Sequence, residues 1–259
     1  MKWLLITFIT AVLNDASKWK KLTRPWFRGE SGTEQPLCPN IAKYNEAQEN
    51  HLVQSFRRKA GGLANTPSRG ETDKWLFLAQ HYGIPTRLLD WTEGVLLALY
   101  FALNQEKDNP RVYMLNPHRL NELAGVKTDY LNFPLTWDNK PGYKNIALAW
   151  ERRAKKRGFD LPIAVPAIYQ DYRMIAQRSC FTVHGKILEP IPEILKKKNI
   201  DIAECLVEYD IDPTMAQTIL KELAVLGVSA STIYPDLDHL AKDIYSEVKI
   251  ANKSMEATK

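Results

Sequence analysis

Gln80-His81-Tyr82-Gly83-Ile84-Pro85-Thr86-Arg87-Leu88-Leu89-Asp90-Trp91-Thr92 joins two segments of different character, and its reading organises the rest of the chain. Upstream, Trp75, Leu78, Ala79 and Tyr82 recur at i, i+3, i+4 and i+7, the spacing of one helix face. Thr72 or Asp73 stands where a cap belongs, and Gly83 lies just past the end. Pro85 forbids continuation of that helix, and Leu88-Leu89 reads as a short buried strand. Downstream, residues 94–103 (Gly-Val-Leu-Leu-Ala-Leu-Tyr-Phe-Ala-Leu) are apolar on every face, which predicts a buried helix capped by Asp90 or Thr92. The connection therefore carries His81, Tyr82, Thr86, Arg87, Asp90, Trp91 and Thr92 between apolar walls. Polar side chains on a rigid hydrophobic frame are the usual make-up of a binding site. The structural alternative is that Asp90 and Thr92 only cap a helix and that Arg87 only pairs with Asp90.

Working outward, residues 3–13 form an apolar run behind Lys2, resembling a signal-peptide core in length. Asn14-Asp15 stands where small cleavage-site residues belong. The run is therefore expected to form an N-terminal helix (3–14) packed on the domain through Trp3, Ile6 and Thr10, in a cytoplasmic protein. At eleven residues it is too short to span a bilayer. Trp26-Phe27-Arg28-Gly29-Glu30 reads as a strand end, and Asn40 as the cap of a long helix to Lys59. Arg111–Leu115, Leu161–Val165, Cys180–His184 and Ile202–Tyr209 read as strands, with a polar segment from Gln170 to Ser179. Asp212-Pro213 starts a helix that reaches Gly227, and Pro235–His239 opens the last one, with the tail from Lys253 fraying. An irregular insertion covers about residues 125–160. The pattern predicts one α+β domain over residues 1–259, with small mixed or antiparallel sheets and surrounding helices.

The 259 residues can bury a sizeable core, and the net charge of +5 is compatible with phosphate contacts without demanding nucleic acid. Cys38, Cys180 and Cys205 have neither a disulfide framework nor metal-ligand spacing, which fits a reducing compartment. No phosphate loop, His-Glu-x-x-His pair, Cys-x-x-Cys pair or nucleophile elbow is present in the sequence. His51, His81, His118, His184 and His239 are spaced unlike ligands, so no metal is expected.

Four elements occur in an order that resembles the FRG domain family, named for its Phe-Arg-Gly motif. They are Phe27-Arg28-Gly29, the Gln80–Thr92 block, the Arg173…Gln177…Phe181 segment and Tyr234-Pro235-Asp236-Leu237-Asp238. The resemblance covers about residues 20–245. Two positions depart from it: Glu30 stands where the family often has Gln, and Ser179 where Gly is expected, which implies a less sharply bent backbone there. Members of this family look distantly like ADP-ribosyltransferases, including toxin and phage-defence branches, and the resemblance implies an ADP-ribosyltransferase-like core with NAD as substrate. By its order, Arg28 would contact the dinucleotide, Thr92 would lie beside the nicotinamide pocket, and Gln177 would occupy the late-strand Glu or Gln position.

Cleavage of the nicotinamide–ribose bond builds positive charge on the ribose, so such a site needs an arginine fork for phosphates, an aromatic wall and a group orienting a hydroxyl. Arg28, Thr92 and Gln177 are the catalytic candidates. Arg28, His81, Tyr82, Arg87, Asp90, Trp91 and Thr92 are the NAD-binding candidates. Because Gln177 carries no charge, either Glu30, Asp90 or Glu93 supplies the carboxylate or the enzyme works without one. The implied protein is an intracellular effector, with a protein or nucleic-acid acceptor and an antitoxin or regulatory protein as possible partner. Two other readings stand beside it. One is a nucleic-acid-binding or nucleolytic module using the basic run Arg152–Arg157 with Arg87. The other is a non-catalytic nucleotide sensor using the same pocket.

Overall fold

The computed structural model describes residues 4–19, 24–32, 35–63, 66–68, 70–105, 107–125, 160–167, 169 and 171–256. The basic run Arg152–Arg157 and nearly all of the insertion at 125–160 lie outside them. Six strands form one sheet: β1 (Trp26–Glu30), β2 (Leu88–Thr92), β3 (Arg111–Leu115), β4 (Ile163–Pro166), β5 (Ser179–Val183) and β6 (Leu206–Asp210). Their order is β4-β5-β2-β1-β3-β6, and every recorded pairing is antiparallel. The α+β class holds, with the antiparallel alternative realised and the described strands joined in one six-stranded sheet.

Side chains alternate across a strand, and here the alternation separates two apolar layers. Phe27, Val112 and Met114 turn to one face, where they meet α1 (Leu4–Ser17), α4 (Val95–Leu103), α8 (Ala216–Val225) and α9 (Ala230–Ile233). Leu88, Ile163, Phe181 and Val183 form a second cluster with Leu76 and Phe77 of α3 (Thr72–His81) and Met174 of α6 (Tyr172–Ala176). Trp26, Leu89, Trp91, Tyr113 and Cys180 turn to the opposite face, against α5 (Pro117–Leu123) and α7 (Ile191–Lys197). The helix α2 (Glu46–Ala60) flanks α3, and α10 (Leu237–Glu256) closes the chain.

Gly29 sets the spacing of β1 and α4. A Cβ on Gly29 would lie 1.8 Å from the Ala98 carbonyl oxygen and 2.6 Å from the Ala102 amide nitrogen. The strand thus touches the helix backbone, and only glycine permits that approach.

Several local expectations are corrected. Helix α1 docks through Leu5, Phe8 and Val12, the larger apolar stripe, while Ile6 is 54 % exposed. Among the described residues no helix is long and apolar enough to cross a membrane. Helix α3 starts at Thr72 with Glu71 at the cap position and no side-chain cap bond. Its buried residues are Trp75, Leu76, Phe77 and Ala79, and Tyr82 is 62 % exposed. Gly83 ends it in the left-handed region (φ 77°), and the Ile84 amide donates to the Ala79 carbonyl, closing the turn. The long helix expected from Asn40 is broken: Asn40–Lys43 is a 3-10 turn, and Asn45 caps α2 with a reciprocal bond to Gln48. The strand expected over Ile202–Tyr209 begins only at Leu206, after a 3-10 turn at Ile202–Glu204 capped by Asp201. The last helix continues through Lys253 to Glu256.

His184, at the end of β5, is fully buried, and its backbone amide donates to the Arg87 carbonyl (2.9 Å). Burial pushes its pKa down to about 3, with the nearby Arg87 charge adding to the effect. The folded state therefore holds His184 neutral, whereas the unfolded chain takes up a proton below about pH 6.5. Stability contributed by this group is present above pH 6.5 and declines as pH falls toward 3, by roughly 1.4 kcal/mol per pH unit. Urea unfolding at pH 7 and pH 5 should show the parent losing about 2 kcal/mol more than a His184→Gln variant. Equal losses in the two proteins would refute the buried-neutral assignment.

Candidate functional site

In β2 the alternation sends Asp90 and Thr92 to the face of α3 and α4 and sends Trp91 to the other. The Trp91 indole packs beside Cys180 and Tyr113, and its Nε1–H donates to Thr182 Oγ1 (3.0 Å). β1 meets β2 at the single register pair Phe27↔Thr92, whereas β1–β3 and β2–β5 each pair over five residues. Beyond Phe27 the two strands are no longer laddered, and the Arg28 guanidinium lies between them. Its Nε donates to Glu30 Oε1 (2.6 Å), and its Nη1 to the Asp90 carbonyl (2.7 Å), standing in for a missing ladder bond. Nη1 is also 4.0 Å from Asp90 Oδ2. Burial works against the Arg28 charge, but the Glu30 and Asp90 carboxylates outweigh it and raise its pKa above the ordinary arginine value.

Beside this gap a cavity of about 300 Å³ separates the two clusters on the α3/α4 face. Arg28, His81, Asp90, Thr92 and Gln177 all line it, although they span 149 positions of sequence. Phe77 and Phe181 form one aromatic side (ring centroids 4.9 Å apart), and Phe101 stands on the α4 side. The Asp90 carboxylate is 55 % exposed. Gln80 Nε2 donates to its Oδ2 (2.8 Å), and Gln80 Oε1 accepts from Thr86 Oγ1 (2.6 Å), so a two-link chain fixes the carboxylate. Of the three candidate carboxylates, Asp90 alone lines this cavity. Glu30 binds Arg28 and the Leu37 amide (3.2 Å), and Glu93 lies outside.

Thr92 is 3 % exposed and its hydroxyl is committed. It donates to the Gln177 carbonyl (2.7 Å) and accepts from the Gly94 amide (3.0 Å). With the Glu93 amide on the Arg178 carbonyl (3.1 Å), this fastens the start of α4 to the turn between α6 and β5. Thr92 is thus a positioning residue here, and neither it nor Asp90 is the N-cap of α4, which is Gly94. Ser179 opens β5 without a positive φ, in keeping with the less sharply bent backbone expected there, and the left-handed residue of the turn is Arg178 (φ 48°). Gln177 Nε2 reaches the Ile233 carbonyl at 3.4 Å. Arg173, which also lines the cavity, lies over the Tyr234 ring (4.8 Å), and Tyr234 stacks on His239 (4.5 Å). The Tyr234–His239 stretch therefore backs the α6 wall.

Two of the NAD-binding candidates, Tyr82 and Arg87, do not line the cavity. Tyr82 packs at Phe56 and behind His81, outside the cavity lining. Trp91 borders the cavity but presents its ring to the opposite layer. Arg87 pairs with Glu49, not Asp90: Nε to Oε1 at 2.6 Å and Nη2 to Oε2 at 2.7 Å, with Nη1 on the Gly185 carbonyl.

The sequence reading did not find the Phe77–Phe181 wall, Phe101 or Asp171. Asp171 caps α6 through the Met174 amide (2.8 Å) and places Oδ2 3.1 Å from His81 Nδ1. No local signal links residues ninety positions apart. Burial pushes the Cys180 thiol well above its usual range and raises Cys38 as well; burial takes Cys205 to about 12, so none is an activated nucleophile. Among the described residues no three His, Cys, Asp or Glu side chains gather as a metal site would.

Comparison with known proteins adds one assignment: residues 23–111 match the FRG domain family, covering β1 through the start of β3 and all of α2 to α4. No curated protein and no solved structure matches the chain.

Proposed function

We propose that this FRG-domain chain is an NAD-using enzyme of ADP-ribosyltransferase type, cleaving the nicotinamide–ribose bond in the cavity between α3, α4 and α6. The observation that carries the reading is the tethered, solvent-facing Asp90 carboxylate beside the Phe77–Phe181 wall. A planar aromatic ligand would stack on such a wall, and a neighbouring carboxylate would stabilise positive charge developing on the attached ribose. The bond that breaks is C1′–N of the nicotinamide, which leaves as a neutral base. Water or an acceptor nucleophile attacks C1′ and gives up its proton, yielding ADP-ribose or an ADP-ribosylated group. Asp90 stabilises the oxocarbenium-like state, Arg28 fixes the Asp90 strand, and Thr92 holds the Gln177 turn. His81, with Nδ1 directed at Asp171, has its other ring nitrogen available to accept the nucleophile's proton. The acceptor is a protein or nucleic-acid group, in keeping with an effector of the toxin or defence kind.

Incubation with NAD and measurement of free nicotinamide tests the reading. Asp90→Asn keeps the Gln80 contact and removes the charge, so it should lower the rate by at least about a hundredfold. Its melting temperature should stay close to the parent's. A parent that releases no nicotinamide, or an Asp90→Asn enzyme with undiminished rate, would sink the proposal.

A further inference from the structure

A second cavity, of about 790 Å³, adjoins the first and shares Arg28, Gly29, Phe101 and Gln105 with it. Its other walls come from the loop after β1 and from the Asn40–Lys43 turn. The titratable side chains facing it are Arg28, Glu30, Cys38, Lys43 and Lys107. Arg28 and Glu30 neutralise each other at 2.6 Å. Among the described residues neither Lys43 nor Lys107 has a carboxylate within ion-pair distance, and both line the cavity. Both are carried by defined backbone. Lys43 ends a 3-10 turn anchored by the fully buried Ile41. Lys107 lays its stem across Gly32, where a Cβ would come within 2.8 Å of Lys107 Cδ. Gly32 adopts φ 59° and donates its amide to the Asp108 carbonyl (2.8 Å), holding the two loops together.

We infer that the second cavity binds the diphosphate of a nucleotide whose remaining half reaches into the first. Lysine ammoniums are compact point charges suited to phosphate oxygens, and two of them match the two charges of a dinucleotide's diphosphate bridge. Arg28, already committed to Glu30 and the Asp90 carbonyl, serves as the partition between the halves. The inference rests on the NAD reading only for the identity of the group in the first cavity.

The test is calorimetric titration of the full chain with inorganic pyrophosphate and with ADP at low and high salt. Pyrophosphate should bind, ADP should compete with it, and affinity should fall as salt rises. Both lysines are exposed, so the Lys43→Ala/Lys107→Ala protein should fold normally and bind pyrophosphate and ADP at least about tenfold more weakly. Absence of pyrophosphate binding, or equal binding by the double variant, overturns the inference. Lysine-dependent binding without any nicotinamide release refutes the enzymatic reading alone. Nicotinamide release with KM for NAD unchanged in the double variant refutes the diphosphate site alone.

Discussion

Gly29→Ala will fail to give a stably folded protein. The added methyl would sit 1.8 Å from the Ala98 carbonyl oxygen and 2.9 Å from its carbon, both backbone atoms of a buried helix. No side-chain rotation relieves such a contact, so α4 must move off β1, and Ala98, Leu99 and Ala102 are each no more than 1 % exposed there. Ordinary overpacking costs about 1–3 kcal/mol. Separation of a central strand from its covering helix should exceed that and consume most of a typical stability of about 5–15 kcal/mol. Gly61→Ala is the control, because nothing lies within 4 Å of its added Cβ. Circular dichroism and urea midpoints should show the control unchanged and Gly29→Ala unfolded. A Gly29→Ala midpoint within about 1 kcal/mol of the parent would refute the close approach.

The Glu49–Arg87 pair should show the next largest effect. Glu49 is 5 % exposed, and its two oxygens receive two guanidinium bonds at 2.6 and 2.7 Å. Arg87→Met leaves that carboxylate buried without its partner, which should cost on the order of 3–5 kcal/mol. Replacing both members, Glu49→Leu with Arg87→Met, removes the stranded charge and should recover much of the loss. Urea unfolding of the single and double variants decides the matter. A double variant no more stable than Arg87→Met would show that the pair is not what Arg87 contributes.

What the sequence disclosed follows the range of each cause. Gly83 is legible because a left-handed residue after an apolar period has a local signature. The all-apolar run before Leu103 announces a buried helix for the same reason. The break at Tyr44 escaped notice because Asn40 and Asn45 are both credible caps, and only Asn45 finds its Gln48 partner. At the site, strand periodicity alone separates Asp90 and Thr92 from Trp91, so the placement of the Trp91 ring is legible in the sequence. The partners of Arg87 and His81 are Glu49 and Asp171, at separations of 38 and 90 residues. Such pairings are fixed by the topology of the sheet and leave no mark on either neighbourhood.

The strand order also governs how the chain can be made. β1, β2 and β3 stand adjacent in the sheet, yet β2 pairs outward with β5 and β3 with β6. During synthesis from the N-terminus, the three central strands emerge long before their outer neighbours at residues 179–183 and 206–210. Through that interval both sides of the nascent ladder are open, with Leu88-Leu89 and Val112 to Leu115 at the borders. Open apolar strand borders are templates for pairing with other chains. Apart from β4 with β5, each strand pairing spans more than sixty residues, which also slows closure. A polypeptide released at residue 111, the limit of the family match, would lack most of β3 and keep the β2 border open. Such a fragment is expected to self-associate through that open border.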